Sequence, residues 1–176
     1  MHNEQIGSVS HGEALNGRGT FADFCSEGEM MKRVVTGHGP DGKAVFVSIG
    51  APPRTVTSQN GGQVTYCWGT SGSPVVPAGG DDPTLTMASY YPALGETSCV
   101  IVQFPGNFQG DMHMTDTVDY IFILSGEIWL VLETGAEVHL TPGDCVVQNG
   151  TRHAWHNRTS VPCLFVGMGV GATRQA

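Results

Sequence analysis

The fold is decided by residues 119–150, DYIFILSGEIWLVLETGAEVHLTPGDCVVQNG. Apolar runs alternate here with turn dipeptides. YIFIL (120–124) ends at Ser125-Gly126, and IWLVLE (128–133) at Thr134-Gly135. EVHL (137–140) ends at Pro142-Gly143, and CVVQ (145–148) at Asn149-Gly150. Short runs closed by turn chemistry at near-constant spacing predict an antiparallel sandwich or barrel. No run is long enough for an amphipathic helix before a breaker intervenes. The pattern continues through HAWH (153–156), the polar turn NRTS (157–160) and CLFVGM (163–168).

Upstream the signal is looser but of the same kind. RVV (33–35) and AVFV (44–47) flank the hairpin turn Gly39-Pro40-Asp41-Gly42, and VTYCW (64–68) and SCVIV (98–102) read as further strands. Residues 71–83, rich in Gly, Pro and Asp, read as a loop. Residues 1–30 carry no sustained period and are expected to be a mobile N-terminal segment, with one helical turn across 27–32. The expected layout is therefore strands and loops over 31–97, a barrel core over 98–170 and a tail over 171–176.

Composition sets the outer bounds. A chain of 176 residues, 14% charged and 40% apolar, suits one domain with a substantial core. The 25 glycines fit a fold of frequent turns. Net charge is −8 with scattered basic residues, which argues against nucleic acid, since phosphate binding needs a concentrated cationic footprint. Cys25, Cys67, Cys99, Cys145 and Cys163 stand singly, so neither a disulfide framework nor a thiolate zinc site is expected, and most should be small buried hydrophobes. The longest apolar run, 121–124, is too short to cross a bilayer, and the first ten residues have no secretory core. A cytoplasmic location with no membrane partner is the expectation.

Two segments concentrate the candidate chemistry: GNFQGDMHMTDTVDYIFILSGE (106–127) and PGDCVVQNGTRHAWHN (142–157). Together they resemble the paired motifs of the cupin superfamily, in particular a subgroup of small single-domain members with a degenerate first motif. On that resemblance His113 takes the place of the first motif's leading histidine, Thr115 that of its second, and Asp119 that of its carboxylate. Gly126 closes the motif. Gly143, Gly150, His153 and Asn157 match the second motif, whose proline is replaced by Gln148. The resemblance implies an all-β, cupin-type double-stranded β-helix (jelly-roll) barrel with extra N-terminal strands. It also implies a homodimer in which those strands complete the partner's sheet.

Side chains two apart on a strand share a face, so His113 and Thr115 can both point into a barrel, with His153 brought opposite. His156, three residues on from His153, should face away. His38 and His139 are expected to be structural, His2 and His11 to lie in the terminus, and Tyr120, Trp129 and Trp155 to fill the core. His113, Asp119 and His153 would suit a facial triad for one divalent ion, iron, zinc or manganese. Two departures stand against it: Thr115 removes an imidazole, and Asp119 is shorter than Glu by about 1.5 Å. The metal-free alternative has His113 and His153 as acid and base, Asp119 orienting one ring, and Thr115 bonding substrate.

Three functions follow from this set. The first is a lyase- or isomerase-type enzyme performing dehydration, decarboxylation or cyclisation on a polar, aromatic or polyketide-like metabolite. The second is a non-haem iron(II) dioxygenase using the same three residues. The third is a non-catalytic ligand-binding protein, since fold alone does not decide function.

Overall fold

A computed structural model describes residues 31–77 and 81–175. The expected N-terminal segment and residues 27–30 of the expected helical turn, with Cys25, His2 and His11, lie outside the described residues. The described residues are all β apart from a 3-10 turn at Pro83–Leu85. In order the strands are β1 (Arg33–His38), β2 (Ala44–Gly50), β3 (Thr55–Thr57), β4 (Gln63–Thr70), β5 (Thr97–Phe104) and β6 (Thr117–Ser125). They are followed by β7 (Ile128–Leu132), β8 (Glu137–Leu140), β9 (Cys145–Asn149), β10 (His153–His156) and β11 (Cys163–Gly171).

Two sheets form the barrel. The larger has the order β3-β4-β5-β11-β6-β9 and the smaller β10-β7-β8, with every pair antiparallel. Bridges from Gln109 to His156 and from His113 to His153 add the segment before β6 to the free edge of β10. One apolar core joins the sheets: Val100, Val102, Ile121, Ile123 and Phe165 from the larger meet Ile128, Leu130, Leu140 and Trp155 from the smaller. Alternation dictates this. Thr117, Ile121 and Ile123 of β6 are buried while Tyr120 and Phe122 are exposed.

Two strands outrun their apolar runs: β6 begins at Thr117 and β11 reaches Gly171. Both are interior strands, and pairing on both edges holds residues whose own propensity is weak. At Gly126, φ is +71°, and a Cβ there would fall 2.3 Å from the Pro162 carbonyl oxygen, so the turn between β6 and β7 requires glycine.

Several core expectations fail on the same alternation. Tyr120 is exposed on the outer face of β6, one residue out of phase with the buried set. Trp129 lies on the outer face of β7, where its ring stacks on His139 at 4.3 Å and carries the Arg158 guanidinium at 5.2 Å. Cys145 is exposed, and Cys67 and Cys99 are partly so, leaving Cys163 as the buried thiol among the described residues.

The β1–β2 hairpin turns at residues 39–42, where Gly42 N–H donates to the Gly39 carbonyl at 2.9 Å. Val45, Phe46, Val47 and Ile49 are all exposed, Phe46 to 68%. At its base the Arg33 guanidinium pairs with Asp82 and donates to the Cys67 carbonyl at 3.2 Å.

Candidate functional site

His113 and His153 face each other across a two-residue antiparallel bridge. Each backbone N–H donates to the other's carbonyl at 2.8 Å. That pairing puts the two side chains on one face, and the ring centroids stand 4.4 Å apart at 50°. His113 Nδ1 lies 2.9 Å from the Asp111 carbonyl oxygen, and His153 Nδ1 lies 2.9 Å from that of Thr151. A carbonyl can only accept, so each Nδ1 carries the hydrogen. In the neutral rings Nε2 is left with its lone pair free.

Asp119 stands on the facing sheet. Its Oδ2 accepts from the Thr117 hydroxyl at 3.0 Å, and Thr115 Oγ1 lies 3.5 Å away and 2.7 Å from Thr117 Oγ1. Backbone carbonyls, not Asp119, therefore orient the imidazoles, which corrects the role expected for this carboxylate. Burial raises the Asp119 carboxyl above its ordinary range. The hydrogen bonds from Thr117 and Thr115 and the charge of His113 oppose that rise. His153, 3% exposed, is pushed below its ordinary value by burial and, less, by His113, against the bond to Thr151. Both groups are thus biased toward their neutral forms.

These residues open into one cavity of about 840 Å³ between the sheets. His113, Thr115, Thr117, Asp119 and His153 line its polar end, and Tyr90, Phe104, Phe108, Trp155 and Phe165 its aromatic wall. Phe104 and Phe108 stack at 4.2 Å. A volume in the range of about 300–1,000 Å³, with a few convergent polar groups, is that of a small-molecule site.

The space owes much to β11. Gly167, Gly169 and Gly171 alternate along its inner face, and the first two line the cavity. Gly169 pairs with Asp119 on one side and Ser98 on the other, and a Cβ there would lie 3.0 Å from both side chains. Glycines at period two on an inward face are a sequence signal that motif matching passed over. Thr117, which holds Asp119, was also missed. Asn157 is a buried clamp: its amide donates to the carbonyls of Pro105 and Val161 at 3.0 and 2.7 Å. His156 lies on the far face of β10, paired with Trp129.

Among the described residues no three His, Cys, Asp or Glu side chains converge as a metal-holding group. His113 and His153 could donate two nitrogens, but Asp119 is tied back to Thr117, so the three expected ligands do not fit one ion as they stand. Metal–ligand distances tolerate only about ±0.2 Å, and Asp119 is the shorter of the two acids. No helix of the described residues is long and apolar enough to cross a membrane.

Comparison with known proteins bears on the architecture first. The chain resembles the cupin domain of Cnp3 from Schizosaccharomyces pombe with a TM-score of 0.51, at 8% identity, over 80% of this chain and 87% of that one. Phomopsin biosynthesis cluster protein C′ from Diaporthe leptostromiformis is 32% identical over 137 residues, 72% of this chain and 70% of the relative. The cupin-domain-containing oxidoreductase virC from Hypocrea virens is 28% identical over 150 residues, 82% and 77% of the two chains. The cupin-domain family model matches residues 100–168, the span from β5 into β11 that carries both histidines and Asp119. On barrel, motifs and relatives alike, this chain belongs to the cupin superfamily.

Proposed function

We propose that the protein is a small-molecule enzyme of lyase or isomerase type, acting by proton transfer on an aromatic or polyketide-like metabolite. One observation carries the reading: two imidazoles with fixed Nδ1–H groups offer adjacent Nε2 atoms to a cavity with an aromatic wall. His153, biased toward its neutral form, is the base that takes a proton from carbon beside a carbonyl. His113, more open to solvent, acts in its protonated form and gives its Nε2 proton to the leaving or enolised oxygen, which leaves that nitrogen with a free lone pair. Asp119 with Thr117 and Thr115 makes a polar wall that hydrogen-bonds substrate oxygens. The aromatic wall excludes water and holds a planar ring by stacking. Relatives named for biosynthesis clusters support a substrate from secondary metabolism.

A second reading is favoured by relatives named as oxidoreductases. In it His113 and His153 would contribute two ligands to a divalent ion supplying redox chemistry, and Asp119 would have to leave Thr117. A non-catalytic ligand-binding protein would use the same cavity without turnover.

Turnover of candidate aromatic substrates in strong chelator, with dissolved oxygen recorded, separates the readings. The proposal expects undiminished product and no oxygen uptake. Loss of product restored by added iron, zinc or manganese would overturn it, as would substrate recovered unchanged.

The proposal extends to assembly. The apolar β1–β2 hairpin has its counterpart in a second copy, where it would cover a sheet edge of the partner as a homodimer. Light scattering should report twice the mass of the chain.

A further inference from the structure

The ladder between β4 and β5 holds one extra residue. Tyr66 pairs with Val100 and Trp68 with Cys99, which leaves Cys67 inserted between them. Such a bulge sets two residues of one strand against a single partner on the other. Tyr66 and Val100 are buried on the inner side, so Cys67 and Trp68 are left opposite Cys99 on the outer side. The strand register thus brings two free, partly exposed thiols together from distant parts of the sequence. A cleft of about 300 Å³ on this face, lined by Trp68, Cys99, Tyr120 and Met168, gives small molecules a path to Cys99.

The pair is electrostatically unequal. The Cys67 sulfhydryl donates to the Thr65 carbonyl at 3.8 Å, and its proximity draws the Cys99 thiol below its ordinary value, against the opposing effect of burial. The neighbouring Cys99 sulfur, then burial and the Cys99 charge, push Cys67 up. A thiolate with a protonated thiol beside it is the arrangement that hydroperoxides oxidise selectively. Elsewhere Cys163 is buried, its thiol pushed up to about 12 by burial alone, and Cys145 is exposed.

We propose that Cys67 and Cys99 form a redox-responsive dithiol on the outside of the barrel, converted to a cross-strand disulfide by hydrogen peroxide or a small organic hydroperoxide. The Cys99 thiolate attacks one peroxide oxygen and the O–O bond breaks. Cys99 becomes a sulfenic acid, and water or an alcohol departs with the proton. The Cys67 sulfur then displaces hydroxide from Cys99: the S–S bond forms, the S–O bond breaks and a water leaves with the Cys67 proton. Two thiols lose two electrons, and the peroxide takes them up. Ser98 and Val100, which flank Cys99, line the cavity, so the bridge would clamp one of its walls.

The test uses the full chain, reduced, desalted and treated with equimolar hydrogen peroxide. Thiols are then alkylated and the digest is read by mass spectrometry. With alkylation carried out in guanidinium, all five cysteines should be labelled in the reduced protein. After oxidation Cys67 and Cys99 should instead appear in one disulfide-linked peptide pair that dithiothreitol dissolves. In Cys67→Ser, Cys99 should stop at the sulfenic acid and be trapped by dimedone. Continued alkylation of both thiols after peroxide, or oxidation confined to Cys145, would overturn the proposal, as would Cys99 of Cys67→Ser escaping dimedone.

Discussion

The smaller sheet carries an imidazole beside an indole on each of its faces, and the two pairs have different chemistry. On the inner face His153 meets Trp155 edge-on at 5.7 Å and 84°, both of them buried. On the outer face His139 stacks flat on Trp129, its Nε2 3.0 Å from Glu127 Oε2, and about two-fifths of its side chain is exposed. Both are histidine–tryptophan pairs on one three-stranded scaffold. The difference lies in what faces the ring. Inside, burial disfavours the imidazolium and a backbone carbonyl fixes the tautomer. Outside, the ring is open to solvent and meets a carboxylate, Glu127.

The largest effect that separates the faces should come from His153→Ala. On the proposed reading turnover falls by about 10²–10⁴-fold, the usual contribution of a positioned acid or base. The circular dichroism spectrum should be retained, although the Thr151 carbonyl loses its partner at a cost of about 1–3 kcal/mol. The pH profile adds a sign. Because burial lowers His153, the acid limb of kcat/KM should fall at a pH below the ordinary histidine value of 6.5. Stability follows the same direction. A depressed folded pKa contributes stability that is present above 6.5 and lost as pH falls through the folded value. The gap in stability between the wild type and the variant should therefore narrow on acidification. A gap that widens there would show that His153 is held charged.

Gly169→Val tests the cavity that the inner face serves. The new side chain would start 3.0 Å from Asp119 Oδ1 and from Ser98 Oγ, and 3.2 Å from Pro92. Overpacking of this kind costs about 1–3 kcal/mol and should displace Asp119 from Thr117. Gly167→Ala is the matched control, since its Cβ would meet nothing nearer than 3.8 Å. It should keep the melting temperature within about 2 °C while raising KM for bulky aromatic substrates. Equal tolerance of both variants would show that the row of glycines does not shape the site.

The sequence made some of this legible and hid the rest for physical reasons. Turn dipeptides spaced through residues 119–150 disclose the strands, because turn chemistry is local. The motif spacing likewise discloses which histidines approach one another, since parity on a strand is fixed. The same parity, applied to Tyr120 against Asp119, places that ring outside; reading aromatics in β runs as core discards the information. Trp129 could not be placed until its register against His139 and His156 was known. The tie from Asp119 to Thr117 depends on rotamers that no spacing rule reports, and with it goes the fit to a metal. Cys67 and Cys99 read as solitary because a bulge between two distant strands leaves no mark along the chain.

The smallest effect belongs to the outer pair and completes the contrast. His139→Ala removes the stacking on Trp129 and the contact with Glu127, but both partners stay hydrated, and Arg158 still covers the indole. Exposed ion pairs of this type contribute about 0–1 kcal/mol, so urea denaturation should register a change within about 0.5 kcal/mol. Turnover should be unaltered, because the ring lies across the sheet from the cavity. A loss of activity here comparable to that of His153→Ala would mean that the reacting groups stand on the outer face, and the assignment of acid and base to the barrel interior would have to be abandoned.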